Sequence, residues 1–243
     1  MFDVEITPAL HAALLEAPAV TPERELRTVL EACIPESPRV ISMAVQAHRA
    51  PVVSAELQVR ASFARLEARV WISDVLIAVI ERQAPDESAP TRRLAVADVD
   101  AFPRLLAALV DLGPRKRPRT PGFRLPAGAL VLVGGLMDLG DRRAITQSLD
   151  DATAADLMAL LHDDTRRWVL SVAPGDDLAD PPTVLDVVDA PSHGLWLVRG
   201  DDESGGTTLI GADPSVVWGL MSGLVDGGLM LALAAEAEAA ADG

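Results

Sequence analysis

The sequence predicts an α+β fold in which a mainly antiparallel sheet is packed with helices. Segments with a helical repeat of apolar residues stand beside segments in which apolar and polar residues alternate. The chain also repeats itself: with a shift of 115 residues, residues 94–113 match residues 209–228 at eight of twenty positions. We therefore predict a single domain of two duplicated halves, residues 1–113 and 123–243, related by a pseudo-two-fold axis.

Helices open the first half, and strands follow them. A helix from Thr21 is favoured because threonine caps a first turn and Pro22 fits the first helical position. A later helix over residues 99–112, capped by Asp98, has the apolar spacing of a buried face. The other predicted elements are helices over residues 8–17 and 38–48 and strands over residues 57–63, 68–73, 75–80 and 93–96.

Residues 114–122 are predicted to link the two halves. They are rich in proline and carry four basic residues, Arg115, Lys116, Arg117 and Arg119. A nucleic-acid patch is the alternative, but the run is short and has no aromatic side chains between its charges. We interpret it as a solvated connector.

The second half repeats the plan of the first. Its last clear helix is predicted to begin after Asp213, with Pro214 in the first position. The buried stripe of that helix is predicted to be Val217, Leu220, Met221, Leu224 and Val225. The other predicted elements are helices over residues 127–138, 142–149 and 154–163 and strands over residues 167–172, 183–188, 194–199 and 207–210.

The same shift of 115 residues extends the repeat upstream of the matched helices. Coincidence between two amphipathic helices of similar composition is the alternative to duplication. The upstream matches favour duplication, because helix composition does not account for a common register along strands and loops. They place Asp74 on Asp189, Ile80 on Leu195 and Asp86 on Asp201.

Composition restricts the classes of partner. The formal net charge of −15 argues against nucleic acid and against an anionic membrane surface. Cys33 is the only cysteine, so an intrachain disulfide is excluded and a buried, inert thiol is expected. The first residues lack the features of a signal peptide, and no apolar run reaches about 20 residues, so we expect a cytoplasmic protein. The absence of Asn and Tyr and the single lysine indicate a bacterium of high G+C content.

The sequence shows no recognisable catalytic, nucleotide-binding or metal-binding motif. It has no glycine-rich phosphate loop, no paired cysteines and no histidine pair with zinc spacing. Ser192 and His193 follow Asp189, but neighbours in sequence rarely form a triad, and a turn between strands is the better interpretation. We therefore predict no catalytic residues, no cofactor and no metal.

Partner binding is assigned to one acidic loop and to a few large apolar side chains. A solvated hairpin tip is the alternative for the loop. Core packing is the alternative for the tryptophans, because only an exposed tryptophan can serve as a binding hot spot. The candidate residues are Asp201, Asp202, Glu203, Trp196, Trp218 and Met221.

The second half resembles the EspG family, the secretion-associated chaperones of type VII (ESX) systems in actinobacteria. The resemblance lies in the runs 167–172 and 187–198 and in Asp213-Pro214 with its helix, and residues 97–112 are similar to the family's helix after the hairpin. It implies two pseudo-symmetric α+β halves and no catalytic residues. It also implies a cytosolic chaperone that binds PE–PPE-type substrates, or related helical hairpins, and keeps them soluble for export.

Three hypotheses therefore stand after the sequence. The first is a chaperone, monomeric or weakly dimeric, that holds a helical client on its sheet and C-terminal helices. The second is a small-molecule-binding or enzymatic domain with a cleft between the halves. The third is a structural or dimerisation module.

Overall fold

The structure, a computed structural model, confirms the predicted α+β class with a sheet packed against helices. The residues that it describes are 1–16, 23–61, 64–84, 86–125, 151–160, 164–175, 182–200 and 206–241. The helices predicted over residues 127–138 and 142–149 lie outside them.

Ten strands are found in the described residues. Eight of them correspond to the predicted strands, with ends that differ by a few residues. The two at the sheet edges, β1 and β6, have four residues each and were not predicted. The strands are β1 (Phe2–Glu5), β2 (Val53–Ala61), β3 (Ala64–Ile72), β4 (Leu76–Gln83), β5 (Thr91–Ala97), β6 (Gly122–Leu125), β7 (Arg166–Pro174), β8 (Thr183–Ala190), β9 (Gly194–Gly200) and β10 (Thr207–Ala212).

The described helices agree with the predicted ones in place but differ in length. The helix predicted over residues 99–112 is a short 3₁₀ turn, Val99–Ala101, followed by α4. Asp98 stands at the N-cap of that turn, but its side chain makes no capping hydrogen bond. The α-helices are α1 (Pro8–Leu15), α2 (Glu23–Cys33), α3 (Pro38–Arg49), α4 (Phe102–Leu109), α5 (Asp151–Leu160) and α6 (Pro214–Ala241).

The strand order of the sheet is symmetric about its centre, with β2 matching β7, β3 matching β8, β4 matching β9, β5 matching β10 and β1 matching β6. From one edge to the other it is β1-β5-β4-β3-β2-β7-β8-β9-β10-β6, and every neighbouring pair is antiparallel. Strands β2 and β7 meet at the centre, where Leu57 pairs with Leu170. This is the arrangement that two halves related by a two-fold axis would produce.

The shift of 115 residues holds at the centre of the sheet and fails further out. Val53 pairs with Ile72, and the residues 115 positions later, Trp168 and Val187, also pair. Leu94 pairs with Val79, but its match Leu209 pairs with Val198 and not with residue 194. The slip of four residues is even, so each side chain stays on its own face of the sheet.

The slip corrects the upstream matches of the repeat. Asp74 lies exposed in the turn between β3 and β4, whereas Asp189 is buried within β8. The two aspartates therefore do not occupy equivalent places.

Helices cover both faces of the sheet. The front face, which carries Leu57 and Leu170, packs against α4 and α6 in one core that spans both halves. The back face, which carries Trp71 and Trp196, packs against α1, α2 and α3 in the first half and against α5 in the second. The structure thus has three layers, and the front layer joins the halves.

Candidate functional site

Helix α6 begins where the sequence predicts. Pro214 is its first residue, and the Asp213 carboxylate accepts hydrogen bonds from the Ser215 backbone N–H at 3.1 Å and the Ser215 hydroxyl at 2.8 Å. These bonds, the backbone one first, lower the pKa of Asp213. The helix therefore has a charged N-terminal cap that also favours its macrodipole.

Helix α6 buries one side against the front face of the sheet. Val217 and Met221 are fully buried there, and Gly228 lies close to Val53 and Val172. Leu220 corrects the predicted buried stripe, because it is 41% exposed. Apolar residues surround this part of the helix on more than the buried side, so the spacing alone did not identify the buried one.

An exposed stripe runs along α6 beside the buried one. Its members are separated by four, three, four and three residues, which is the spacing of a coiled-coil seam. We call this stripe the α6 seam, and it consists of Val216, Leu220, Gly223, Gly227 and Met230.

The α6 seam combines exposed apolar side chains with open glycine positions. Val216, Leu220 and Met230 are among the large apolar residues that the fold leaves exposed. A Cβ atom added at Gly223 or Gly227 would meet no atom within 4 Å. Small residues allow a second helix backbone to come close, and apolar knobs on either side can then pack around it. The seam thus has the shape and chemistry of a helix-docking surface.

The predicted partner-binding residues fall into three places. Trp218 is 39% exposed on α6, on a different side from the seam. Trp196 and Met221 are fully buried, so both are core residues in this chain and neither side chain can reach a partner as placed. The acidic loop residues Asp201, Asp202 and Glu203 lie outside the described residues. Trp196 belongs to the back-face core and Met221 to the front-face core, so the structure does not bring the described members of the set together.

The seam itself was missed at the sequence level, although its signal was present. The spacing of four and three residues from Val216 to Met230 can be read from the sequence. Leu220 fits the spacing of the buried stripe as well as that of the seam. Burial against the sheet, which depends on residues far away in the chain, decides between the two stripes.

A buried charge cluster ties the segment after α4 to the second half. The guanidinium of Arg115 donates two hydrogen bonds to the Asp189 carboxylate, at 2.7 and 2.9 Å. The Nε atom of Arg166 lies 3.3 Å from the same carboxylate. Asp111 completes the cluster, 2.9 Å from Arg166. The Asp189 side chain is 1% exposed and that of Arg115 is 8% exposed.

This cluster corrects the prediction of a solvated connector. Lys116, Arg117 and Arg119 are exposed as expected, but Arg115 is buried against Asp189. Its hydrogen bond to Asp189 raises the pKa of Arg115 above the usual range, against the opposing effect of burial. Because a bidentate arginine–carboxylate pair is a strong and directional contact, the connector is anchored to the second half.

The described residues contain no group of three or more His, Cys, Asp or Glu side chains that could hold a metal ion. Among the described helices, none has an apolar stretch long enough to cross a membrane.

Comparison with known proteins gives a likeness of fold. No family model matches the chain, and no curated protein matches it in sequence. A solved structure of the Mycobacterium tuberculosis type VII secretion system chaperone EspG5, in complex with a PE25–PPE41 dimer, does match. The identity is 13%, the alignment covers 92% of this chain and 96% of that one, and the TM-score is 0.52. The fold is EspG-like. HtdX of Mycobacterium tuberculosis aligns over 86% of this chain and 97% of its own at 13% identity, but its TM-score of 0.17 carries no structural argument.

Proposed function

We propose that this protein is a cytosolic chaperone of the EspG type, which binds a helical substrate of a type VII secretion system and keeps it soluble for export. The EspG-like fold carries the proposal, because the match extends over nearly all of both chains. The EspG5 structure contains a PE25–PPE41 dimer, which indicates the class of client to test first. On this proposal the protein acts by binding and not as an enzyme.

The α6 seam is the surface that we assign to the client. A helix with an apolar stripe would pack its side chains between Val216, Leu220 and Met230. The open positions at Gly223 and Gly227 would let the two helix backbones approach closely. Trp218 projects from a different side of the same helix, so a client helix docked on the seam would not reach it.

Co-expression tests the proposal directly. This chain, carrying an affinity tag, is produced together with PE–PPE-type protein pairs encoded in the same genome. We expect a stoichiometric complex, and we expect the client to be less soluble when produced alone. If every such pair fails to co-purify while the tagged chain is folded, the proposed function is wrong.

Two variants test the seam without disturbing the fold. Leu220→Asp puts a charge on the seam and should reduce client capture at least tenfold. Its matched control is Met158→Asp on α5, because both side chains are 41% exposed. Gly223→Leu fills open space in the free protein and replaces a poor helix former, so the free energy of unfolding should hold or rise while capture falls. Equal capture by both seam variants and the control would remove the seam from the proposal.

A further inference from the structure

A groove of about 670 Å³ lies on the front face of the first half, between α4 and the strand ends. Its volume is within the range of small-molecule sites. Val59, Leu66 and Ile80 of three neighbouring strands form its floor, and Leu105 and Leu109 of α4 form one wall. We call this space the front groove.

The front groove is an opening in a core that is otherwise closed. At the other end of the same three strands, Val53, Ile72 and Leu76 are completely buried. At the groove, Val59, Leu66 and Ile80 keep 7–9% of their surface exposed. The apolar face of these strands thus extends beyond the part that α4 covers, and the uncovered part forms a concave surface.

The charged residues around the front groove are mostly paired. Arg93 donates to Asp3 at 2.8 Å, and Arg166 lies 2.9 Å from Asp111. Arg82 also lines the groove, and its side chain has no ion-pair or hydrogen-bond partner within the described residues. It stands at the end of β4, opposite Leu66 of β3, and strand alternation places it on the same face as Ile80.

We propose that the front groove binds single-chain aliphatic carboxylates. The carboxylate pairs with the free guanidinium of Arg82, which can hold it with two parallel hydrogen bonds. The hydrocarbon chain lies on Val59, Leu66 and Ile80 beneath α4. The groove combines an apolar interior with the unpaired guanidinium of Arg82 at its rim, and Met1, which carries the α-amino group, also lines it. Positive charge beside an apolar interior fits an amphipathic anion better than a neutral or cationic compound.

One acidic residue of the lining opposes this ligand. The Glu87 carboxylate accepts a hydrogen bond from the Ala84 backbone N–H at 3.2 Å, and no cation is paired with it among the described residues. Its charge should weaken carboxylate binding. Glu87→Gln should therefore raise the affinity a few-fold, whereas it would leave the binding of an uncharged ligand unchanged.

Calorimetric titration with octanoate, decanoate and dodecanoate, each below its critical micelle concentration, tests the proposal. Burial of two further methylene groups should raise the affinity about fifteenfold at each step. Dodecanol, which has the same chain and no charge, should bind at least tenfold more weakly than dodecanoate. No binding of dodecanoate, or equal binding of the alcohol, would overturn the proposal.

Variants place the ligand in the front groove. Arg82→Gln should reduce the affinity for dodecanoate about tenfold and leave that for dodecanol unchanged. Arg60→Gln is the control, because Arg60 is exposed at the same end of the sheet on the back face. Ala108→Phe puts a large side chain into the groove from α4 and should abolish binding of both ligands. Dodecanoate binding that survives both Arg82→Gln and Ala108→Phe would mean that the ligand lies elsewhere. These measurements do not involve a client protein, so their outcome is independent of the proposed chaperone function.

Discussion

Replacing Asp189 by asparagine should destabilise the protein more than any other single charge-neutralising change in the described residues. The substitution keeps the shape of the side chain and removes its charge. Arg115, whose side chain is 8% exposed, and Arg166, whose side chain is 14% exposed, then remain largely shielded from solvent without their main counterion. Removing one partner of a buried ion pair costs about 3–5 kcal/mol, because the other charge stays desolvated and uncompensated.

Because Asp111 is a second carboxylate near both arginines, we expect the loss in free energy of unfolding to be at the lower end of that range. Its carboxylate lies 2.9 Å from Arg166 and 3.8 Å from Arg115, so it partly replaces Asp189. The Asp111 side chain is 76% exposed, however, and solvent weakens its attraction for both arginines. We expect Asp189→Asn to lower the free energy of unfolding by about 3 kcal/mol. For a chain of this size that corresponds to a fall in Tm of about 6–12 °C.

Urea unfolding followed by tryptophan fluorescence measures the effect, since Trp71, Trp168 and Trp196 are buried and become exposed on unfolding. Asp186→Asn is the matched control. Asp186 lies on the same strand, accepts two hydrogen bonds from Arg167 at 2.6 and 3.0 Å, and is less buried. We expect the control to lose about 1 kcal/mol or less. If Asp189→Asn costs no more than the control, burial of the cluster does not determine its contribution.

Two further changes test other parts of the fold. Gly194 has a φ of +121°, and a Cβ there would lie 2.7 Å from the Lys116 carbonyl oxygen. Gly194→Ala should therefore lower the free energy of unfolding in urea by about 2–3 kcal/mol. In the control Gly200→Ala the new Cβ meets no atom within 4 Å, so the free energy of unfolding should change by no more than about 0.5 kcal/mol. Burial lowers the pKa of His11, against the attraction of Glu81. Because the folded state disfavours the protonated imidazole, stability should fall as the pH drops below about 6.5, and His11→Gln should show a smaller loss between pH 7.5 and 5.5; an equal loss would contradict this assignment.

The central strands could be predicted from the sequence, and the edge strands could not. In β2 and β7 the alternation of apolar and polar residues extends over enough residues to indicate a half-exposed strand. Strand β1 alternates too, but four residues are too few to distinguish it from chance. It becomes a strand because Phe2 pairs with Val96, more than 90 residues away. Strand β6 depends in the same way on the pairing of Leu125 with Thr207.

The buried arginine shows a second limit of prediction. Arg115 stands among exposed basic and proline residues, and this local composition correctly indicates a segment without regular structure. Its burial is determined by Asp189, which is 74 residues further along the chain. The Asp189 side chain faces the front of the sheet because every second residue of a strand lies on the same face, and Leu185 and Val187 of β8 belong to the front core. The position of the pair therefore follows from the register of a strand and not from the sequence around either residue.

The two candidate sites arise where the matched halves cease to be alike. Asp111 has a φ of +51°, and Leu112 donates a backbone hydrogen bond to Ala107, so the left-handed residue ends the helical turn after α4. Its match in the repeat, Asp226, lies within α6.

The residues after the repeat explain this difference. The identical glycines of the repeat are followed by Pro114 in the first half and by Leu229 in the second. Proline lacks the N–H that a continuing helix needs, whereas leucine is a good helix former. The short α4 leaves the front groove uncovered, and the long α6 presents its seam. On the proposals made above, the point at which the helix ends therefore decides whether this face of the sheet offers a ligand-sized groove or a helix-docking surface.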